Sequence, residues 1–168
     1  MKYIFGLGLP RTCTNSLGSA LHILGINGEC KCILNDFHNK REKKENNTKY
    51  KYIIYNDAYQ DIEMLLNNDK IYDNKYILTI RNNDDWKKSI KKFDKEEVVN
   101  ELLNLNMNEY IEKIKQIFIQ KNCLENLLII NIFEDKDKEL WKKLYIFLNF
   151  EQEEDILESE FPKINLNQ

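Results

Sequence analysis

The residues best suited to chemistry in this sequence lie together near the N-terminus, in the stretch Gly6-Leu7-Gly8-Leu9-Pro10-Arg11-Thr12-Cys13-Thr14-Asn15-Ser16. Arg11 carries a permanent positive charge on a planar group whose N–H donors match a phosphate or a sulfate. The turn at residues 8–10 can point backbone N–H groups at an anion, and a helix beginning at Thr14 adds unpaired amides and the positive end of its dipole. A helix start that needed only a cap would not require so many donors. This stretch therefore predicts an anion-binding loop.

The segments on both sides of the loop have the patterns of a strand and a helix. Residues 2–7 form an apolar run bounded by glycines, which predicts a short buried strand. From Thr14 onward, apolar residues recur at helical spacing until Gly25, a typical helix end. Asp84 or Asp85 is expected to cap a later helix. Further strands are predicted at 51–56, 75–80 and 127–132, and further helices around 62–66, 86–93, 98–105, 110–119 and 140–148.

The alternation of apolar strands with helices predicts an α/β fold with a central, mainly parallel sheet flanked by helices on both faces. We expect a single domain over residues 1–168. Parallel sheets bind ligands at the carboxyl ends of their strands. The anion-binding loop, Asp57 and Arg81 each follow a predicted strand, so we expect them to share one edge of the sheet. The polar residues 34–50 are expected to form a solvated segment or a mobile lid over the site.

Composition excludes several classes of protein. The chain is 42% hydrophobic and 32% charged, which is a globular balance, and its net charge of −3 argues against a general nucleic-acid binder. No stretch approaches the roughly 18 apolar residues of a membrane span, and the N-terminal apolar run is too short for a signal peptide. The four cysteines (Cys13, Cys30, Cys32 and Cys123) do not have the spacing of a disulfide framework or of a convincing zinc site. We expect reduced thiols and a cytoplasmic protein.

The anion-binding loop resembles the P-loop of sulfotransferases that use 3′-phosphoadenosine 5′-phosphosulfate (PAPS), in the branch with a Pro-Arg-Thr-Gly-Thr type loop. The likeness to this family extends over nearly the whole chain. It is carried by residues 8–17, Ala20-Leu21, Leu24-Gly25, residues 75–81, Trp86, Ser89, residues 127–132, Trp141, Leu148 and the segment Phe161-Pro162-Lys163-Ile164-Asn165. Arg81 and Ser89 stand eight residues apart, which is the family's spacing for gripping a 3′-phosphate.

The resemblance implies a PAPS-dependent sulfotransferase, which moves a sulfuryl group to a hydroxyl or amine and releases 3′-phosphoadenosine 5′-phosphate (PAP). It implies a three-layer fold of the P-loop type, no metal, and a small-molecule, sugar or peptide acceptor. The net charge and the lack of a membrane-spanning stretch argue against a nucleic-acid or a membrane partner. By the resemblance, Arg81 and Ser89 would hold the 3′-phosphate, and Arg11 would also offset charge on the bridging oxygen. The 5′-phosphosulfate would be held by Arg11, Thr12, Cys13, Thr14, Asn15 and Ser16.

The sequence departs from the family pattern at three places. Cys13 stands where the family has glycine, and a side chain there demands a backbone angle that cysteine adopts poorly. Asn82 and Asn83 replace the acidic residue and proline that usually follow the strand arginine, so the next helix is expected to begin differently. Residues 30–33 lack a histidine that relatives often carry there.

Sulfuryl transfer usually needs a group that takes the acceptor's proton. Asp57 is the first choice for this base, because it follows a predicted strand and matches an aspartate of similar sequences. Asp57 has an alternative role as the cap of a helix beginning near Ala58, and the two roles are compatible. Asp61 is a weaker candidate, and His22 and His38 are expected to lie at the surface.

Two other functions stay open at this point. A P-loop kinase or NTPase would use Asp57 to bind magnesium at a strand end, but its loop needs Gly-Lys followed by Ser or Thr, and the stretch at residues 13–15 has no lysine. A non-catalytic nucleotide-binding protein on a sulfotransferase-like fold is the other alternative, favoured by Cys13.

Cys13 also suggests a hypothesis of its own. A thiol at a helix start beside Arg11 is expected to have a lowered pKa and to be reactive. Bound nucleotide would then block its alkylation.

Overall fold

The computed structural model describes residues 2–31, 50–55, 66, 69–92 and 96–164. These residues include five strands and six helices whose bounds are described. The strands are β1 (Lys2–Gly6), β2 (Asn27–Lys31), β3 (Tyr50–Tyr55), β4 (Lys75–Thr79) and β5 (Leu127–Ile130). The helices are α1 (Thr14–Ile23), α2 (Asn83–Ile90), α3 (Glu96–Leu103), α4 (Met107–Gln120), α5 (Asp137–Leu148) and α6 (Glu154–Leu157), with short 3-10 turns at Asp69–Tyr72 and Leu124–Asn126.

The strands form one parallel sheet in the order β2-β3-β1-β4-β5. The first strand of the chain therefore lies in the middle, between β3 and β4. Gly6 pairs with Ile54 on one side and Ile77 on the other. Because all the described strands run the same way, β1, β4 and β5 end side by side at one edge of the sheet.

Two apolar cores cover the two faces of the sheet. One core joins α1, α5 and α6 to the sheet through residues such as Leu17 and Trp141. The other joins α2, α3 and α4 to the opposite face through residues such as Trp86 and Phe118. The fold is thus a three-layer α/β arrangement, and the predicted fold class is confirmed. No helix within the described ranges is both long and apolar enough to cross a membrane.

Most predicted elements within the described ranges lie where the sequence pattern put them, with two differences. The strand β2 was not predicted, because Asn-Gly-Glu-Cys-Lys has no apolar run. The cap of α2 is Asn82, whose side chain accepts from the N–H groups of Asp84 and Asp85, so the predicted aspartate cap is wrong. Of the predicted loop or lid at 34–50, only Tyr50 is among the described residues, and it begins β3. Of the helix predicted around 62–66, only Leu66 is among the described residues.

Candidate active site

The connection between β1 and α1 is a tight loop with an unusual backbone. Arg11 and Cys13 have φ angles of 68° and 65°, in the left-handed region that non-glycine residues rarely adopt. Backbones of this kind turn successive N–H groups toward one side and form concavities that suit anions. Position 8 requires glycine because its backbone lies close to two threonine side chains. A Cβ there would lie 1.9 Å from Thr79 Oγ1 and 2.5 Å from Thr12 Oγ1. The loop is therefore built around the end of β4.

Hydrogen bonds hold the loop in this shape from inside. Thr12 is fully buried; its N–H donates to the Leu9 carbonyl (3.2 Å), and so does its hydroxyl (2.7 Å). The same hydroxyl lies 2.9 Å from Thr79 Oγ1. Trp86 Nε1 on α2 donates to the Pro10 carbonyl at 2.8 Å. These contacts use both donors of Thr12 within the protein, so in this conformation Thr12 shapes the loop.

The first turn of α1 presents unpaired backbone donors to the loop. The first helical bond runs from the Leu17 N–H to the Cys13 carbonyl, and the thiol of Cys13 makes no capping bond. The N–H groups of residues 13–16 precede that bond, and none donates to an acceptor in the described ranges. Thr14 and Asn15 thus stand where sequence predicted them, at a helix N-terminus with open amides.

Two cationic side chains flank this helix start. Arg11 Nε donates to Ser89 Oγ on α2 at 3.0 Å, and Ser89 is buried. The guanidinium groups of Arg11 and Arg81 lie within electrostatic range of each other, because the charge of Arg11 lowers the pKa of Arg81. Three residues predicted to bind one ligand are therefore brought to one edge of the sheet.

Arg81 has a different environment from Arg11. Its guanidinium carbon lies 4.0 Å from the centroid of the Phe133 ring. No hydrogen bond or ion pair joins Arg81 to another residue that the structure describes. Burial lowers the pKa of Arg81 below its ordinary value, and the charge of Arg11 acts in the same direction. The charge of Asp85 raises this pKa, but no carboxylate in the described ranges forms an ion pair with Arg81. A partly buried cation without such a contact favours binding of an anion at this place.

The segment after α6 packs back against the loop helix. The Ile164 N–H donates to Ser16 Oγ at 2.9 Å, and Lys163 forms an ion pair with Asp137 at 2.8 Å. Phe161 packs against Trp141 with ring centroids 4.7 Å apart. The hydroxyl of Ser16, predicted to contact the ligand, thus accepts a bond from the chain itself.

Cys13 does not have the acidic thiol expected from its position. Its side chain is only 8% exposed, and burial raises its pKa to about 11. Ser16, Arg81, Arg11 and Lys163 all lower the pKa of Cys13, but together they do not outweigh desolvation. The prediction of an acidified, reactive Cys13 is therefore wrong. The predicted backbone problem at this position is real, because Cys13 has a left-handed φ.

We expect Cys13 in the folded protein to react slowly with iodoacetamide at pH 7.5. Its alkylation rate should rise as the pH approaches about 11, where the thiolate forms. Between the ordinary thiol pKa of 9.0 and about 11, the unfolded chain gives up this proton while the folded chain keeps it, so folding stability should fall over this range. Mass spectrometry of the Cys13 peptide measures the rate, with urea-unfolded protein as the reference. Equal rates for folded and unfolded protein at pH 7.5 would contradict a buried thiol.

The sequence locates the cationic residues but not everything that surrounds them. Asp57, the candidate base, lies outside the described residues, as do Asp61 and His38. Phe133 was not singled out, although it follows β5 at the same sheet edge where Arg81 follows β4. Lys163 was noted only as part of the family-like tail. Position after a strand end was the signal that could have identified Phe133.

Comparison with known proteins agrees with this architecture. No curated protein matches the chain. The family model described as a sulfotransferase domain matches residues 3–145, which include the anion-binding loop, Arg81, Ser89 and Phe133. This match covers most of the 168 residues. The chain therefore belongs to the sulfotransferase family.

Proposed function

We propose that this protein is a sulfotransferase that takes its sulfuryl group from PAPS and delivers it to a hydroxyl or amine acceptor. The observation that carries the proposal is the pairing of two separate cationic sites at one sheet edge. One site consists of Arg11 and the open amides at the start of α1, and the other of Arg81. A donor with phosphate groups at both its 5′ and 3′ positions would engage both sites at once.

The donor set fits the two ends of such a nucleotide. The loop amides and Arg11 provide several N–H donors in a small space, as a 5′-phosphosulfate requires. Arg81 provides a planar set of donors, and no carboxylate in the described ranges forms an ion pair with it, since nearby Asp85 pairs with Lys88. Ser89 lies beside Arg11, from which its hydroxyl accepts a hydrogen bond. Thr12 acts inside the loop, and its hydroxyl keeps Gly8 and Thr79 in contact.

Bound PAPS would supply an activated sulfuryl group, and the oxygen that bridges it to the nucleotide would become negative as the bond breaks. In this proposal Arg11 and the amides of residues 13–16 stabilise that negative charge, because they are fixed before the reaction begins. The bond from Arg11 Nε to Ser89 orients the guanidinium and so reduces the entropy lost on binding. Asp57 is proposed as the base that takes the acceptor's proton.

Calorimetric titration with PAP tests the donor assignment without knowledge of the acceptor. We expect saturable binding of one PAP per chain by the wild type. Arg81→Ala should weaken PAP binding about 10- to 30-fold, because a charged hydrogen-bonding partner of the 3′-phosphate is lost. The same variant should bind adenosine 5′-monophosphate (5′-AMP), which lacks that phosphate, as the wild type does. Absence of PAP binding by the folded wild type would overturn the assignment.

A second candidate function is a nucleotide-binding protein without transfer activity. The observation that favours it is the left-handed backbone at Cys13, where the resemblance puts glycine. The backbone is strained there, at a cost of about 1–2 kcal/mol, within the loop that must accept the phosphosulfate. Incubation with PAPS and a broad acceptor panel separates the two functions. PAP binding without any transfer would favour the non-catalytic protein.

A further inference from the structure

We propose that Phe133 is a positioning residue for Arg81, and that its ring turns the N–H edge of the guanidinium toward the 3′-phosphate of the nucleotide. This inference rests on the proposed function, since it concerns how that nucleotide is recognised. It assigns a role to a loop after β5 that the family match alone does not give.

The contact between the two side chains defines their geometry. The guanidinium carbon lies 4.0 Å from the ring centroid, which is a close cation–π contact. A guanidinium that stacks on a ring uses one of its faces, and its five N–H donors stay in the plane, directed sideways. Those donors are then available for a two-point bond to a phosphate.

The ring is the main restraint on Arg81 in the described part of the chain. No hydrogen bond or ion pair from a described residue holds the guanidinium. An arginine side chain loses close to 2 kcal/mol of rotamer freedom when it is fixed in place. A ring that fixes it before the ligand arrives removes part of that loss from the binding step.

Phe133 is itself held by a hydrogen-bonded loop. Its N–H donates to Asn131 Oδ1 at 3.1 Å. The Asp135 carboxylate accepts from the Asn131 N–H at 3.2 Å and from Lys143 on α5 at 2.8 Å. The Asp135 N–H returns to the Asn131 carbonyl at 2.9 Å. The loop is thereby tied to α5, and the ring has a defined place.

The sheet explains why this loop reaches Arg81. Strands β4 and β5 are parallel neighbours, and Thr79 pairs with Ile130 at their carboxyl ends. The pairing continues one step further, since the Ile80 N–H donates to the Ile130 carbonyl at 2.9 Å. Arg81 and Phe133 leave the sheet just beyond that bond. Desolvation at this place lowers the pKa of Arg81, and the negative face of the ring opposes that effect.

The test combines binding of two nucleotides with a double-mutant cycle. Phe133→Leu should weaken PAP binding about 5- to 20-fold while 5′-AMP binding changes less than about twofold, because only PAP uses Arg81. Phe133→Tyr keeps the ring and should restore PAP affinity to within about twofold of the wild type. In the Arg81→Gln background, Phe133→Leu should have no further effect on PAP. Circular dichroism and urea unfolding establish that each variant is folded.

A second readout needs no nucleotide. In the wild type, the ring current of Phe133 should shift the side-chain N–H signal of Arg81 upfield in an ¹⁵N-correlated NMR spectrum, and Phe133→Leu should abolish that shift. An unshifted signal in the wild type would overturn the positioning role.

The nucleotide-binding measurements distinguish failure of this inference from failure of the donor assignment. If the wild type does not bind PAP, the proposed function is overturned. The part of this inference that concerns the 3′-phosphate is then overturned too. Two results would overturn the inference and leave the proposed function standing, provided that the wild type binds PAP. In one, Phe133→Leu weakens the binding of PAP and of 5′-AMP equally. In the other, Phe133→Leu weakens PAP binding in the Arg81→Gln background as well. Such a result would assign Phe133 a role in general packing.

Discussion

Replacing Arg11 with alanine is expected to weaken the binding of PAP by about 100-fold, because the proposed function makes Arg11 a charged donor to the 5′-phosphate, and this donor is lost together with its bond to Ser89. The loss should be specific to the 5′ end of the ligand. Adenosine 3′-monophosphate lacks the 5′-phosphate, and its affinity should change less than about threefold. Calorimetry with both nucleotides measures the two values on the same protein.

Two control variants sharpen this prediction. Arg11→Lys keeps the charge but not the planar fork, and it should recover only part of the affinity. Lys92→Ala removes a positive charge from an exposed residue just after α2 and should leave both nucleotides unaffected. If Arg11→Ala weakened both nucleotides equally, Arg11 would not be specific for the 5′ end. If Lys92→Ala matched its effect, only the overall charge would matter.

Gly8→Ala is expected to destabilise the protein by about 2–4 kcal/mol and to abolish PAP binding by whatever fraction stays folded. The new Cβ would lie 1.9 Å from Thr79 Oγ1, 2.5 Å from Thr12 Oγ1 and 2.8 Å from Thr14 Cγ2. All three neighbours are buried, and two of them share a hydrogen bond. The loop must therefore move away from β4. Urea unfolding of the variant and of the wild type gives the difference in free energy of unfolding.

Gly6→Ala is the matched control for this effect. A Cβ at Gly6 would first meet the Cδ1 methyl of Ile54, at 2.6 Å, which is the far end of a side chain that can rotate. We expect a loss below about 1.5 kcal/mol and PAP binding within about threefold of the wild type. Equal losses for the two variants would show that the contact between Gly8 and Thr79 is not special.

Much of the fold could be predicted because its strands are short apolar runs between helices with regular apolar spacing. The strand β2 lacks that signal. Its backbone lies close to β3, where a Cβ at Gly28 would be 2.1 Å from the Tyr52 carbonyl oxygen. A glycine between polar residues usually indicates a turn in a sequence. Here Gly28 instead permits close pairing of β2, the outermost strand, with β3.

The candidate site was predictable at the level of which residues share an edge, but not at the level of what they touch. Arg11 and Arg81 could be placed together because each follows a predicted strand, and Ser89 was added through its family-like spacing from Arg81. That Arg11 bonds to Ser89 while Arg81 lies on Phe133 depends on the register of β4 and β5, which the sequence does not display. The thiol of Cys13 was misjudged because helix dipole and charge are visible in sequence, while burial is a property of the packed structure.

The bond from the Ile164 N–H to Ser16 has a consequence for the order in which the protein is made. The ribosome synthesises the anion-binding loop first, yet this bond spans 148 positions and cannot form until residue 164 has followed. The central strand β1 likewise waits for β3 and β4 before either of its edges is paired. Long-range contacts of this kind slow folding. The loop is therefore made well before the segment that completes it.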